Sequence, residues 1–485
     1  MLSAQLVIIV IYFALTVGIG IWSSKKSKSS ASFHGAQLGI VAIVCASTGE
    51  WLGGTATTGI SEYGFSYGLS GAWFTLANAI GVLVLAFGFA KLYRSLNSVT
   101  VPGIIEKFFG VHARTVSSVL LTLVMLAVGL SQMIAAGKLG QALLGIDFNV
   151  MCISFAAIFI VYTLAGGMNA VAATNTMHLF FMYGGIILAL VLTLSKLGGW
   201  DGFSSGVAAV EASEAGSDYF NMFSIGMPKV SSWLIASILG ACTAQAGIQP
   251  VLASRDIPSA KKACIITGFV VAPFGIFTAL LGIMAKVMSH NGTLVDQAGQ
   301  VVTDGKLALN ALMMNLPPLA GGIVLASILA AILSTVSPLI LASGTMVTKD
   351  IYQRVLKSDA TDKEVLRMSR ITTAIAGVIC CFGAIALVNA STVLGIVYAA
   401  YSLRGAIFVV VLLGIYWKRA TEKGACWSMV LTGGVAIVWK AVQLITDHYP
   451  ISDSFTETYA AVIVALVATI VFSLVFPKKG LGAKA

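Results

Sequence analysis

Two adjacent alcohols, Ser334 and Thr335, stand in the middle of SILAAILSTVSPLILASGT, residues 327–345. Neighbouring residues on a helix point about 100° apart, so both hydroxyls reach one cation at the helix surface. The carbonyl of Ala331, one turn earlier, joins them where the helix is locally distorted. Sodium prefers oxygen ligands, by the hardness rule that governs calcium and magnesium. A second source of oxygens is VCASTGEWLGGTATTG, residues 44–59, where hydroxyls, paired glycines and Glu50 interrupt an apolar run. It reads as a discontinuous helix, unwound near position 46, with carbonyls between Cys45 and Thr48 freed as hard ligands. The other deep charge is Arg404, in YAAYSLRGAIF. A lone buried charge is very costly, and pairing offsets much of that. Arg404 therefore pairs with Glu50, or grips a solute carboxylate through a bidentate fork, or snorkels to water. Trp51, Gln245, Tyr398 and Tyr401 are candidate walls of the same pocket. Plainer readings stand beside these. Glycine, serine and threonine are common at close helix contacts in membranes, lone serines bond back to their own backbone, and aromatics pack.

These groups need elements that hold them inside a bilayer. The chain has 485 residues, 58% hydrophobic and 10% charged, against about 25% charged in a soluble globular chain. It reads as an integral membrane protein, all-α, forming one transmembrane domain over residues 1–485. Alternating barrel strands are excluded by long, uniformly apolar runs. About 20 apolar residues span a bilayer, and thirteen runs qualify: 5–23, 38–58, 68–93, 115–143, 148–165, 173–196, 232–252, 263–287, 319–346, 369–389, 392–416, 424–445 and 458–476. The first has its lysines after it, which predicts a retained helix rather than a secretory signal. A second interrupted run, ASILGACTAQAGIQP at 236–250, lies five spans after the first. Paired interruptions at corresponding positions of two halves point to a transporter's central site. They predict a five-helix repeat over 38–196 and an inverted copy over 232–416, with 5–23 and 424–476 peripheral.

The net charge of +10 does not imply nucleic acid, because no aromatic-interleaved basic patch or nucleic-acid motif accompanies it. The basic residues collect in short loops. Lys25, Lys26 and Lys28 fall on one side with Lys91, Arg94, Lys107, Arg114, Arg255, Lys261 and Lys262. The same side takes the 349–370 and 418–423 clusters, and Lys478, Lys479 and Lys484. Asp201, Glu211, Glu214, Asp218, Asp296, Asp304, Asp447, Asp453 and Glu457 fall on the other. The positive-inside rule then predicts an outside N-terminus and a cytoplasmic C-terminus in the plasma (inner) membrane. The seven cysteines lie in apolar stretches without a CxxC pair and read as buried small hydrophobes. No HExxH-type spacing marks a metal enzyme. No mid-span aspartate pair supplies an intramembrane hydrolase, so the chain is not expected to be an enzyme.

Four motifs in order carry a resemblance: GGMNAVAATNTMH (166–178), QPVLASRDIPSAKKA (249–263), AILSTVSPLILASGTMVTKDIY (331–352) and GIYWKR (414–419). Over roughly residues 5–425 the chain resembles the sodium/solute symporter family, which includes sodium-coupled proline, pantothenate, sialic acid and sugar transporters. The resemblance implies a LeuT-like 5+5 inverted repeat with one N-terminal and two C-terminal helices, and alternating-access import of a small organic solute. An amino acid or other carboxylate is the favoured solute, a sugar or neutral metabolite the alternative, and proton coupling or a channel lesser ones. It implies a sodium ion held by the carbonyls of Cys45, Thr48 and Ala331 and the hydroxyls of Ser334 and Thr335. The partners implied are sodium, the solute and the lipid bilayer, with the chain a monomer or weak homo-oligomer. Two departures stand out. Asn175 and His178 replace the family's aspartate and glutamine, which weakens any auxiliary sodium site at Asn175. Glu50 is not the family's usual residue.

Overall fold

Backbone N–H and C=O groups find no water in hydrocarbon, so long apolar runs close their hydrogen bonds internally as helices. The computed structural model describes residues 2–24, 29–35, 37–214, 216–296, 298–388 and 393–477, and these are helical apart from turns, loops and isolated β-bridges. The first half runs α1 (Leu2–Ser24), α2 (Ser30–His34), α3 (Ile40–Trp51), a π-helical turn (Thr55–Gly59), α4 (Ile60–Tyr67), α5 (Trp73–Val84) and α6 (Ala90–Ser95). It continues through α7 (Val101–Phe108), α8 (Val111–Leu144), α9 (Phe148–Lys196) and α10 (Gly199–Ser213). The second half has α11 (Met227–Ala241), α12 (Gln245–Leu252), α13 (Ile257–Val271), α14 (Phe274–His290), α15 (Gly305–Met314) and α16 (Pro318–Met346). A π-helical extension (Val347–Leu356) leads to α17 (Asp362–Leu387), α18 (Val393–Tyr416), α19 (Glu422–Thr446) and α20 (Glu457–Val475).

Ten helical stretches are long and apolar enough to cross a membrane, and three shorter apolar helices cover Val7–Ser23, Ile40–Trp51 and Phe148–Val161. The expected runs overlap these but do not match them one to one: Thr55–Ser95 takes in both the end of the run at 38–58 and the run at 68–93. Within α9 the helix is interrupted at Gly167, where φ is 56°. A side chain there is excluded twice, by the left-handed backbone and by Phe33, whose ring lies 2.7 Å from where a Cβ would sit.

The most interior span is α16 with its extension, 94% buried over its apolar window, against 22% for α19 and 39% for α20. It packs on α1, α3, α8, α9 and α17. Of these spans α19 is the least buried, while α20 is buried about as much as α17, at 33%; the alcohols at 334–335 sit in the most interior span.

The loops expected to share one side do meet at one end. Arg94 Nε donates to the Ser254 carbonyl at 2.8 Å. Arg114 bridges Glu106 at 2.5 Å and Asp350 at 2.6 Å, and Arg354 reaches Glu106 at 2.5 Å. Thr100 Oγ1 donates to Asp350 at 2.7 Å. Lys25, Lys26, Lys28, Lys478, Lys479 and Lys484, which belong to the same expected set, lie outside the described residues.

Candidate functional site

The first broken helix is broken later than its sequence suggests. Residues 45–48 lie inside continuous α3, and the helix ends at Leu52, with φ −111° and ψ 51°. Cys45 therefore sits in unbroken helix, and the Thr48 carbonyl accepts the Leu52 N–H at 3.1 Å. The expectation of an unwound turn near 46 is corrected to residues 52–54. Two neighbours fix the break there. Gln132 of α8 accepts from the Gly54 N–H at 2.6 Å and donates to Thr55 Oγ1 at 2.8 Å, so the unwound backbone is satisfied by a side chain. Thr335 and Gln132 also press onto Gly53, where a Cβ would lie 2.6 Å from Gln132 Oε1. Gln132 was not singled out from the sequence; its signal was a lone amide in an apolar run.

The two spots nevertheless touch. Thr335 Oγ1 donates to the carbonyl of Gly49, a residue within the last turn of α3. Ser334 Oγ donates to the Ala331 carbonyl at 2.8 Å, and Thr335 Oγ1 also reaches it at 3.3 Å. Pro338 has no N–H to give the carbonyl four residues earlier, which is that of Ser334. Asn175 Nδ2 of α9 donates to this freed oxygen at 3.0 Å. An aspartate could not donate there, which gives the asparagine a physical reason. Its Oδ1, and Thr48 Oγ1, are buried without a partner among the described residues. His178, three residues further on, bonds through Nδ1 to the Tyr12 hydroxyl. The result is a buried cluster of neutral oxygens from α3, α9 and α16.

One residue beyond Gly49 begins a charged cluster. Arg404 Nη1 donates to Glu50 Oε1 at 2.9 Å, with both side chains fully buried. Of the three readings of Arg404, pairing is the one observed, and snorkelling is ruled out by its burial. The guanidinium carbon lies 3.7 Å over the Tyr401 ring and 5.3 Å from that of Trp51, a cation–π sandwich. Arg404 Nε and Nη2, Glu50 Oε2 and Trp51 Nε1 have no hydrogen-bond partner among the described residues. The second broken helix closes the cluster. Between α11 and α12 the backbone leaves helical geometry at Ala244, with ψ 87°. Thr243 Oγ1 donates to the Arg404 carbonyl at 2.7 Å.

Two expected pocket residues lie elsewhere. Gln245 accepts from the Val101 N–H at 2.7 Å and donates to the Val99 carbonyl at 3.3 Å. That makes it a strut of the ionic end, not a wall beside Arg404. Tyr398 sits six residues before Arg404 on α18, roughly 120° round the helix from it, stacked on Trp233 with centroids 4.4 Å apart and planes at 8°. Tyr63 packs edge-on against Trp233 at 5.3 Å. These three rings cap the charged cluster on the side away from the ionic end.

Comparison with known proteins agrees with this architecture. The family model described as "Sodium:solute symporter family" matches residues 33–433. A sodium/glucose cotransporter of Vibrio parahaemolyticus is 25% identical, covering 96% of this chain and 90% of its own length. The high-affinity proline transporter PutP of Bacillus subtilis is also 25% identical, covering 93% and 95%. A solved substrate-bound, outward-open sodium-coupled sialic acid symporter superposes with a TM-score of 0.79 over 98% of both chains, at 19% identity. The interrupted helices, the oxygen cluster at their crossing with α16 and this match over most of the length lead to one assignment: the chain belongs to the sodium:solute symporter family.

Proposed function

We propose that this sodium-coupled symporter carries a small carboxylate-bearing solute, an amino acid foremost, into the cell. The carrying observation is the Arg404 guanidinium, fully buried, with Nη1 on Glu50 and both Nε and Nη2 unpartnered. A buried cationic N–H without an acceptor costs more than an ordinary lost hydrogen bond, so the site is built for a ligand oxygen. The unpartnered Glu50 Oε2 suits the ammonium of the same molecule. A proline transporter among the relatives is consistent with this. A sugar, the solute named for another relative, has no charge to meet the pair. Trp51 and Tyr401 form the apolar walls, and Tyr398 belongs to the cap above them.

Sodium binds where α3 meets α16. Its ligands are the Ala331 carbonyl, the Ser334 and Thr335 hydroxyls and the Gly49 carbonyl in the last turn of α3; the carbonyls of Cys45 and Thr48 join once α3 loosens there. Sodium displaces the bonds those hydroxyls make to Ala331 and Gly49 and so ties the broken helix to the interior one. Asn175 spends its amide on Ser334, so one sodium is carried per cycle, without an auxiliary ion there. Sodium and solute stabilise the same state, which is all that coupling requires. The N-terminus lies outside and the C-terminus in the cytoplasm, supported by the segregation of basic loops. An inside-negative potential then adds about 2.3 kcal/mol per charge per 100 mV. Residues 38–196 and 232–416 form the two inverted repeats, supported by the corresponding interruptions, and a single chain is the transporting unit.

The test is radiolabelled uptake into proteoliposomes, with and without a sodium gradient, over amino acids, other carboxylates and sugars. Sodium-dependent uptake of an amino acid, lost in Arg404→Gln, is expected. Uptake of sugars alone, or carboxylate uptake untouched by that variant, would overturn the solute reading. Replacing Ser334 and Thr335 by alanine is expected to raise the sodium concentration for half-activation roughly 10- to 100-fold, from about 1.5–3 kcal/mol per charged contact. Unchanged sodium activation places the ion elsewhere.

A further inference from the structure

Where α8, α18 and α19 pass one another, small side chains leave a gap. Ala127 of α8, Ala399 and Ala400 of α18, and Ala436 and Ala441 of α19 are too short to fill the space between the helices. The result is a groove of about 410 Å³, within the ~300–1,000 Å³ of ordinary ligand pockets. Its rim is apolar and outward-facing. Leu123 is 50% exposed, Ile437 62% and Leu444 45%, so in a bilayer the groove opens to hydrocarbon. One end is shut. Gly433 brings α19 so close to α8 that a Cβ there would lie 3.2 Å from Leu120, which is itself on the lining.

The other end carries a charge. Among the described residues Lys440 is the only polar one on the lining, and it also borders a polar cavity beside Lys229. This end is away from the ionic cluster. Helix α19 starts at Glu422, which bonds His112, two residues before Arg114, at 3.0 Å; Lys440 lies about five turns further on. It stands about 9 Å inside the far end of α19, within reach of the interface for a long, snorkelling side chain. Its neighbour Trp439 donates Nε1 to the Phe455 carbonyl, in the loop between α19 and α20, at 3.1 Å, which puts an indole at the level where membrane interfaces hold them. Lys440 Nζ donates to Gln443 at 2.8 Å, and no carboxylate among the described residues pairs with it. Asp453, on the lining of the adjoining cavity, is taken by His448 at 2.9 Å. Elsewhere in the same molecule Lys286 closes onto Glu214 and Lys357 onto Glu364, each at 2.6 Å.

We propose that the groove holds one acyl chain of an anionic phospholipid, with the lipid phosphate on Lys440. The two parts of the site match the two parts of that molecule: an alkyl-lined trough open to hydrocarbon, and an unpaired ammonium at its interfacial end. A free phosphate has nothing to lay in the trough, and a zwitterionic headgroup brings its own cation towards Lys440. The chain lies against Ala400 and Leu403, which directly precede Tyr401 and Arg404 on α18. It also lies against α8, which carries Gln132. The lipid thus braces the two helices that hold the buried ion pair and the first helix break, and it ties both to α19. This holds whichever solute is carried.

Photolabelling of the purified full chain in nanodiscs tests this directly. The probe is a phosphatidylglycerol with a diazirine midway along one acyl chain, doped into phosphatidylcholine. The control is a phosphatidylcholine with the same chains and diazirine, at the same mole fraction. Adducts, read by mass spectrometry, are expected to concentrate on the lining stretches 120–127, 396–403 and 436–444. The anionic probe should exceed the control there by about fivefold, the worth of one lysine at a lipid surface. Lys440→Gln is expected to bring the two probes level. Ala441→Trp fills the groove and keeps the charge, and is expected to remove labelling of 396–403 by both. Should either variant fail to fold, the comparison of the two probes in the parent chain still decides. Adducts spread evenly over the lipid-facing helices, equal labelling by both probes in the parent, or a preference that survives Lys440→Gln would overturn the proposal.

Discussion

The two ends of this transporter use the same kinds of charged side chain in opposite ways. At one end Arg114, Arg354, Glu106 and Asp350 are in contact at 2.5–2.6 Å. They join α7, the start of α8 and the extension of α16. At the other end Lys229, Lys440 and Glu457 look across a cavity. Charges in contact are a latch: they hold two elements in one arrangement, and the arrangement cannot change until they part. Charges held apart make no such tie, and the elements that carry them are joined by other contacts. Both ends border cavities of similar size, about 540 Å³ beside the ionic cluster and about 530 Å³ beside Lys229, so the difference lies in how the charges are paired, with the Glu50–Arg404 pair between them.

The contrast can be broken most forcefully at the latch. Arg114→Gln leaves Asp350 buried without its cation, which is expected to cost about 3–5 kcal/mol. Thermal unfolding measures the loss, and faster thiol labelling of a Thr100→Cys reporter measures opening of that end. Unaltered labelling would mean the ionic cluster is structural and not a gate. Between the ends, Asn175→Asp removes the donor to the Ser334 carbonyl and is expected to cost about 1–3 kcal/mol in sodium-free buffer. Sodium should restore much of it by accepting the added carboxylate, and a deficit indifferent to sodium would sink that account.

His34, on the latch side, sharpens the comparison through pH. Its ring bonds Thr345 at 3.0 Å and Ser369 at 3.1 Å. Burial first, and the nearby Lys349 charge second, push its pKa down to about 3. The unfolded chain therefore holds a proton that the folded chain lacks between the ordinary imidazole range and about 3. Stability should fall as pH drops through that window, by about 1.4 kcal/mol per unit, and be unaffected above it. A pH series of melting temperatures for the parent and His34→Gln checks the slope, which the variant should lack. Glu106 moves oppositely: burial pushes its pKa up, but Arg354 and Arg114 outweigh this and hold it below the usual glutamate range, so its contribution persists until stronger acid. The smallest stability effect belongs to the other end. Lys229→Gln breaks no ion pair among the described residues and should change stability, read by thermal unfolding, by less than about 0.5 kcal/mol. A large loss of stability would show that Lys229 is held there by packing.

Much of this site was legible in the residues. The interrupted helices, the paired alcohols and the two deep charges all announce themselves as polar groups where hydropathy forbids them. The place of the first break did not. Hydroxyls at 47 and 48 suggested unwinding there, yet Gly53 and Gln132 place it at 52–54, because the acceptor that replaces helical bonding arrives from α8. Gln245 looked like a pocket residue because it is an amide in an interrupted span; its partners at Val99 and Val101 are more than a hundred residues away. Nothing local in Lys229, Trp233 or Glu457 signals that they share a chamber.

By itself the sequence determined that the chain is a bundle of membrane helices with two corresponding interruptions, and which loops carry the positive charge. Those follow from hydrophobic length and from the demand that backbone groups be bonded within hydrocarbon, both local properties. Only the tertiary structure decided which of three fates Arg404 met, where the first helix comes apart, and which charges are paired at one end and apart at the other. Each of those depends on hydrogen-bond partners and close contacts contributed by distant segments, and no periodicity along the chain encodes them.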